Sequence, residues 1–226
     1  METLETLQRR IETTRDLQSI VRTMKSLSAV TIRRAEQASR AVRAYETTVN
    51  RGLQVVLREP GVARAAISAA EAASAGGPVG LVVFGSDHGL CGRFNDVTIE
   101  AARQDIARHG DSGVTLAAVG ARAADLLSGA GHPPERILPA PGSVTGLRET
   151  TRALLELVDD WHTARGLPRV RLAYAAQSED APAEPVTRAL LPVPPEHLRA
   201  LAGRGWPSRR LPVRFGPREE MLTRLI

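Results

Sequence analysis

The side chains best suited to chemistry are concentrated in residues 85–95, which read Gly-Ser-Asp-His-Gly-Leu-Cys-Gly-Arg-Phe-Asn. Ser86 and the chain's single thiol, Cys91, are candidate nucleophiles with His88 as a base. Asp87, His88 and Cys91 are also metal-ligand types, and glycine-rich turns can bind phosphate through backbone amides. Each of these chemistries requires a particular order of residues, so the spacing decides among them.

The spacing disfavours all three chemistries. Glycines at positions 85, 89 and 92 match neither the dinucleotide-binding fingerprint nor the P-loop. The segment has no Gly-X-Ser-X-Gly elbow, and adjacent residues of an extended loop point apart, which disfavours Ser86 or Cys91 as an activated nucleophile. The remaining histidines have no partner at ligand spacing: His109, His132, His162 and His197. We therefore predict no catalytic residue, no cofactor and no metal ligand.

The segment instead has the composition of a tight connection between a strand and a helix. Its glycines permit positive φ, and the Asp87 and Asn95 side chains are expected to hydrogen-bond nearby backbone amides. Leu90 and Cys91 are expected to pack inward as small hydrophobic side chains. The predicted structural positions of this loop are Ser86, Asp87, Gly89, Leu90, Cys91, Gly92, Phe94 and Asn95.

Strands and helices alternate around this loop. Val79–Phe84 is a continuous apolar run, typical of a strand that is buried on both faces, and it ends at Gly85. The predicted elements that follow are helix 95–108, strand 114–119, a helix to 129, loop 133–141, helix 144–162, strand 170–177, an edge strand within 182–191, an irregular region 192–217 that holds a short strand at 213–215, and a helix from 217. This alternation predicts a three-layer α/β/α, Rossmann-like domain with a mostly parallel sheet.

The first fifty-one residues contain neither glycine nor proline, and they carry an uncharged stripe at intervals of three and four residues. The stripe consists of Leu4, Leu7, Ile11, Thr14, Leu17, Val21, Met24, Ser28, Thr31, Ala35, Ala38, Val42, Tyr45 and Val49. It predicts one amphipathic helix roughly 75 Å long, which must project from a domain of this size and needs a coiled-coil partner. The Met, Ser, Thr and Ala residues in the stripe disfavour a self-sufficient dimeric zipper.

The composition is that of an ordinary soluble domain, with 226 residues, 42% hydrophobic and 24% charged. The acidic start, the lack of a membrane-length apolar run and the single cysteine lead us to expect a cytosolic protein. The net charge of +5 predicts an acidic partner, and the stretch between Asp16 and Glu36 holds basic residues but no acid. Aromatic residues make up 3%, which disfavours nucleic-acid binding by base stacking.

Residues 86–95 resemble the Ser-Asp-(Arg/Lys)-Gly-Leu-Cys-Gly-Gly-Phe-Asn signature of the gamma subunit of F-type ATP synthases. The first helix resembles that family's opening helix in its Arg9-Arg10-Ile11 step, its Met24-Lys25 pair and its Arg33-Arg34-Ala35 step. The resemblance runs in order from about Leu4 to Ile226. The chain departs from the signature at His88, where a permanent cation is usual, and at Arg93, where glycine is usual.

The resemblance implies a non-catalytic rotor subunit. In the family, the N- and C-terminal helices form an antiparallel coiled coil inside a ring of alternating alpha and beta subunits, and the α/β domain lies at the foot beside epsilon and the membrane c-ring. Ion-driven rotation of the c-ring would change the conformations of the beta subunits, for ATP synthesis or hydrolysis. The implied location is peripheral, at the cytoplasmic face of the bacterial plasma membrane, with no nucleic acid bound. The implied contacts with the alpha/beta ring are Met24, Lys25, Arg33 and Arg34.

The resemblance also sets the expected boundaries. They are a rotor-shaft helix at 1–58, a connector at 59–78, an α/β foot domain at 79–216 and the start of a C-terminal helix at 217–226. The family's chain continues into a long C-terminal helix, which we expect to be largely missing from a chain that stops at Ile226. We therefore expect an exposed seam on the first helix, and we expect this chain alone not to be a fully competent rotor.

Two other function classes remain open. A nucleotide-binding Rossmann-type enzyme would need an acid about twenty residues beyond a glycine fingerprint, whereas Asp105 falls within a predicted helix. A coiled-coil nucleic-acid adaptor would use the basic helix on phosphates, and its affinity would fall steeply with salt. Co-purification with a tagged chain separates these classes, because it would recover alpha and beta subunits, a reduced cofactor or DNA.

Overall fold

The computed structural model describes residues 4–110, 113–176 and 183–210. The chain divides into two compact units between Leu53 and Gln54. Helix α1 spans Leu4–Leu57, so its last residues belong to the second unit. The predicted uninterrupted N-terminal helix is confirmed, and it continues through Gly52 to a length of 54 residues.

Hydroxyl side chains along α1 bond back to the helix itself. Thr14 and Thr31, which interrupt the apolar stripe, donate from Oγ1 to the carbonyl oxygens of Arg10 and Leu27 at 2.7 and 3.1 Å. The same bond to the residue four positions earlier is made by Thr13, Thr23, Ser26, Thr47 and Thr48. Because these donors are satisfied within the helix, a threonine can lie in an apolar stripe without requiring a polar partner.

The second unit contains a five-stranded sheet in the order β3-β2-β1-β4-β5. The strands are β1 Val79–Phe84, β2 Val114–Val119, β3 Arg136–Leu138, β4 Arg169–Ala176 and β5 Glu184–Leu191. Strand β1 is central and runs parallel to β2 and β4, β3 is parallel to β2, and β5 is antiparallel to β4 at one edge. The predicted mostly parallel sheet, with an edge strand within 182–191, is confirmed.

Helices cover both faces of the sheet. The helices of this unit are α2 Pro60–Ser74, α3 Phe94–His109, α4 Ala121–Gly129, α5 Val144–Asp159 with a π-helical turn at Asp160–Ala164, and α6 Pro195–Gly203. Helices α2 and α6 pack against each other, and the others supply the two sheet faces. Helices α3 and α4 form a core with Leu81 and Val83 on one face, whereas α5 and its π-helical turn form a second core with Val82 on the other. The three-layer α/β/α architecture is therefore confirmed. Ser143 caps α5, because its Oγ accepts a hydrogen bond from the amide of Gly146 at 3.0 Å.

Two tertiary contacts hold the layers in register. Trp161 packs closely against β1 at Gly80, where an added Cβ would be 2.3 Å from the indole ring. The carboxylate of Asp105 on α3, which is only 1% exposed, accepts two hydrogen bonds from the Arg171 guanidinium on β4 at 2.8 and 3.0 Å. Each contact joins a helix to a strand that is distant in sequence.

Two sequence predictions were wrong. The predicted loop 133–141 contains the short strand β3. This strand shows no periodic hydrophobic pattern, because it has three residues and only the last, Leu138, is buried. The predicted irregular region 192–217 contains α6, whose first residue is Pro195. Proline within a segment usually indicates that no helix forms, but it is well tolerated at a first helical position, where its missing N–H costs no hydrogen bond. The predicted strand at 213–215 and helix from 217 lie outside the described residues.

Candidate functional site

The loop at residues 85–95, here called the signature loop, starts where the central strand β1 ends. Gly85 donates its amide to the carbonyl of Val119 at 2.8 Å, which continues the pairing with β2. A Cβ at Gly85 would lie 2.5 Å from the Cβ of Ala123 and 2.7 Å from Oδ1 of Asn95. Glycine is therefore required here by close packing, and the chain leaves the sheet tightly against α4.

The buried Asn95 side chain organises the base of the loop. Its Oδ1 accepts the amide of Ser86 at 3.0 Å, and its Nδ2 donates to Ser86 Oγ at 2.8 Å and to Cys91 Sγ at 3.3 Å. Ser86 Oγ in turn donates to the carbonyl of His88 at 2.6 Å. The predicted local role of Asn95 is confirmed: one amide side chain at the start of α3 closes the loop onto its own first residue.

The Asp87 carboxylate joins the loop to two distant segments. Its Oδ1 accepts the amide of Ala121, the first residue of α4, at 2.9 Å. The same carboxylate accepts the amide of Ala140, which lies between β3 and α5, at 3.1 and 3.2 Å. The expectation that Asp87 bonds nearby amides was wrong, because its partners lie 34 and 53 residues further along the chain. Asp87 therefore ties together the carboxyl ends of three neighbouring strands.

The tip of the loop faces outward. Leu90 is 102% exposed and has φ of 62°, a left-handed conformation that is rare for a residue other than glycine. Cys91 is also exposed. The prediction that Leu90 and Cys91 pack inward was wrong. Leu90 points into solvent, whereas the exposed Cys91 keeps its Sγ 3.3 Å from Nδ2 of Asn95.

The geometry of the loop fits a structural role better than the enzyme chemistries. Ser86 Oγ and Cys91 Sγ lie 3.6 Å apart, and His88 contributes its backbone carbonyl to this cluster. The N-terminus of α4, where an anion would be favoured, already receives the Asp87 carboxylate. In the described ranges, no three His, Cys, Asp or Glu residues are placed to share a metal ion.

The predicted ring-contact residues lie on α1 and are all exposed: Met24, Lys25, Arg33 and Arg34. Successive residues of an α-helix are about 100° apart, so each adjacent pair points in two directions. Members of the two pairs are separated by eight to ten residues, about 12 to 15 Å along the axis. The helix therefore does not gather these four side chains into one cluster, and their contacts remain a prediction.

Large apolar side chains are exposed along most of the described part of α1, as expected for an exposed seam. They include Leu4, Leu7, Ile11, Leu17, Val21, Met24, Val42 and Tyr45 from the predicted stripe. Ile20, Leu27, Val30 and Ile32, outside that stripe, are exposed as well. The apolar surface is thus broader than a two-position coiled-coil seam, which favours contact with more than one neighbour.

Sequence reasoning missed one residue at the end of α1. Gln54 is buried to 3% exposure and donates from Nε2 to the carbonyl of Arg204 at 2.6 Å. An available signal was its setting, because Gln54 is the one polar residue within the apolar run Leu53–Leu57. Among the helices in the described ranges, none is both long and apolar enough to cross a bilayer.

The amino-acid sequence of this chain is similar to those of known ATP synthase gamma chains. The ATP synthase gamma chain of Pelotomaculum thermopropionicum is 28% identical over 203 residues, which cover 87% of this chain and 68% of that protein. The gamma chain of a Synechococcus species is 26% identical over 210 residues, covering 88% and 64%. This chain thus spans about two thirds of the length of these curated relatives.

The fold and the family are both supported. The rotor in a cryo-EM structure of Euglena gracilis mitochondrial ATP synthase superimposes with a TM-score of 0.53 at 14% identity, over 82% of this chain and 62% of that one. At that identity the likeness supports the fold alone. A protein-family model described as ATP synthase matches residues 3–226. The chain therefore belongs to the ATP synthase gamma chain family.

Proposed function

We propose that this chain is a central-stalk rotor subunit of an F-type ATP synthase. It couples ion-driven rotation of a membrane c-ring to conformational changes in the catalytic alpha/beta ring, and it carries out no ATP chemistry itself. The observation that carries the proposal is the combination of a 54-residue helix with an exposed apolar surface and the signature loop, in a chain of the gamma family. Its partners are the alpha, beta and epsilon subunits and the c-ring, at the cytoplasmic face of the membrane.

The exposed apolar surface of α1 supports a helix that works inside an assembly. Leu17 and Val42 are 57% and 61% exposed, and a continuous surface of this kind requires a cover in a soluble protein. In the proposed assembly, a second helix covers one side and the ring subunits contact another. The intrahelical bonds of Thr14 and Thr31 suit this role, since neither hydroxyl proton requires an acceptor on a partner that moves past it.

The basic residues of α1 also support the proposed rotor function. Lys25, Arg33 and Arg34 are exposed, so each ion pair with an acidic ring surface is worth under about 1 kcal/mol and is screened by salt. Weak, screened pairs can break and re-form as the rotor turns. The coupling free energy then comes from the difference in contacts at each rotor angle.

Co-purification from native membranes tests the proposal directly. A tagged copy of the chain, extracted in mild detergent, is expected to recover the alpha, beta and epsilon subunits together with the c-ring. An untagged strain is the control for adventitious binding. Recovery of DNA or of a reduced nicotinamide cofactor in the absence of alpha and beta would contradict the proposal and support one of the other function classes.

Substitution of the basic residues tests the predicted contacts. Replacing Lys25, Arg33 and Arg34 together by alanine is expected to raise the dissociation constant for the alpha/beta ring by about tenfold at low salt. The difference should shrink above about 0.5 M salt, where the charges are screened. Met24→Ala should weaken binding by about 1 to 2 kcal/mol at any salt concentration, because it removes apolar contact area.

A matched control replaces three exposed arginines of the α/β unit, namely Arg64, Arg122 and Arg148. This variant loses as much charge as the α1 variant but leaves α1 unchanged. Equal weakening of ring binding by both variants would show that net charge, rather than the positions on α1, governs the interaction.

A further inference from the structure

The last turn of α1 differs from the rest of the helix. From Leu4 through Gln37, every described residue is exposed, whereas burial becomes nearly complete at the end. Leu53, Val56 and Leu57 are 9%, 0% and 2% exposed. The division into units falls at the same place, so the residues from Gln54 onward are part of the α/β unit. One continuous helix therefore ends as a packed component of the second unit.

Gln54 makes the polar contact in this buried turn. Its Nε2 donates to the carbonyl of Arg204 at 2.6 Å and approaches that of Gly205 at 3.4 Å. The guanidinium of Arg58, one turn later, donates to the same Arg204 carbonyl at 3.3 Å. Within the described part of the chain, Gln54 is the one polar residue of α1 that is buried.

The acceptors of Gln54 are connected to the sheet. Arg204 and Gly205 directly follow α6, which packs against α2. The guanidinium of Arg199 on α6 also forms an ion pair with Glu71 on α2. Helix α2 leads into the central strand β1, and α6 follows the edge strand β5. The last turn of α1 is therefore linked through the segment after α6 to helices α6 and α2, and each of these helices adjoins a strand of the sheet in the chain.

We propose that Gln54 is a positioning residue that fixes the angular setting of the last turn of α1, which belongs to the α/β unit. This inference rests on the proposed rotor function, in which axial torque passes along α1. Gln54 adds a directional contact to the burial of Val56 and Leu57, which itself resists rotation because turning the helix would expose those side chains. A hydrogen bond is directional, and a helix rotation of one residue, about 100°, would carry the Gln54 amide away from the Arg204 carbonyl.

Amide hydrogen exchange of the chain itself tests the contact. Gln54→Leu replaces the amide by an apolar side chain of similar volume, so it removes the hydrogen bond without opening a large cavity. Exchange in the segments 54–58 and 204–206 is expected to become about fivefold to tenfold faster, as for the loss of one net hydrogen bond. Exchange in α3 should not change. The matched control is Gln37→Leu, at an exposed position of the same helix. Unchanged protection in Gln54→Leu would overturn the proposal.

The assembled enzyme provides a readout that a merely structural role would not change. At equal subunit recovery, Gln54→Leu is expected to lower the ratio of ATP-driven ion pumping to ATP hydrolysis by at least about twofold, because part of the rotation is lost as slip of the helix. Gln37→Leu should keep the parental ratio. A parental ratio in Gln54→Leu, despite faster exchange, would overturn the torque role. A parent chain that fails to recover alpha and beta would instead contradict the proposed function, and the exchange result would still decide whether Gln54 holds the helix end.

Discussion

The two units of this chain use apolar residues in opposite ways. In the described part of the first unit, a single helix exposes large apolar side chains such as Leu17 and Tyr45. In the second unit, Leu81, Val82 and Val83 on β1 have no exposed surface, because helices cover both faces of the sheet. Both regions have clear hydrophobic patterns. The difference lies in whether the same unit supplies a second surface to pack against.

A hydrophobic pattern specifies an element of secondary structure, but it does not by itself stabilise that element. A period of three to four residues specifies a helix and its apolar side, but burial requires a neighbour. The α/β unit contains its own neighbours, so its core should account for most of the stability of the free chain. The apolar side chains of α1 should contribute little until partner subunits are bound.

The largest expected difference is between substitution of a buried leucine and substitution of an exposed one. Leu81→Ala should lower the free energy of unfolding of the α/β unit by about 3 to 4 kcal/mol, because it leaves a cavity in a fully buried strand. Leu17→Ala should change the stability of the free chain by less than about 0.5 kcal/mol. Denaturant unfolding followed by tryptophan fluorescence measures this, since Trp161 and Trp206 both lie in the second unit. A large loss of stability in Leu17→Ala would show that the exposed side chains of α1 do stabilise the free chain.

A second prediction compares a buried with an exposed ion pair. Asp105→Asn should destabilise the α/β unit by about 3 kcal/mol, because it leaves the partly buried Arg171 guanidinium without its charged partner. Glu156→Gln makes the same chemical change in the exposed Arg152–Glu156 pair and should cost under about 0.5 kcal/mol. Thermal unfolding of the two variants in the same buffer measures the difference. Equal melting temperatures would show that the buried Asp105 contact stabilises the fold no more than the exposed pair does.

The smallest expected effect concerns the signature loop. Asp87→Ala should lower the stability by about 1 to 2 kcal/mol, because the amide of Ala121 at the start of α4 loses its acceptor. Exchange of the Ala121 and Ala140 amides should also become faster. Asp125→Ala, at an exposed position within α4, is the matched control and should stay within about 0.5 kcal/mol of the parent. If the two variants unfold alike, Asp87 does not hold the loop as its geometry indicates.

Much of the fold was predictable because its signals are local. The run Val79–Phe84 and the segment Val114–Val119 are apolar and end at glycines, and both are strands with those boundaries. Strand β3 and helix α6 were missed for a physical reason. The first depends on pairing with β2 rather than on its own periodicity, and the second begins at a proline that is harmless only at a first helical position.

The candidate site was predictable in composition but not in contacts. The sequence located the loop and indicated that Asn95 would bond backbone amides, which it does within nine residues. It could not indicate that Asp87 reaches Ala140, because that contact exists only after β1, β2 and β3 are aligned. The outward position of Leu90 likewise depends on the backbone path set by those bonds.

The sequence by itself determined the long first helix, the α/β alternation and the family, because each depends on residues close together in the chain. Only the tertiary structure decided which polar side chains hold the parts together: Asp87 across three strand ends, Asp105 onto β4 and Gln54 onto the segment after α6. These contacts join residues from 34 to 150 positions apart. No local pattern encodes such pairings, since they arise from the alignment of strands and the packing of helices around a common core.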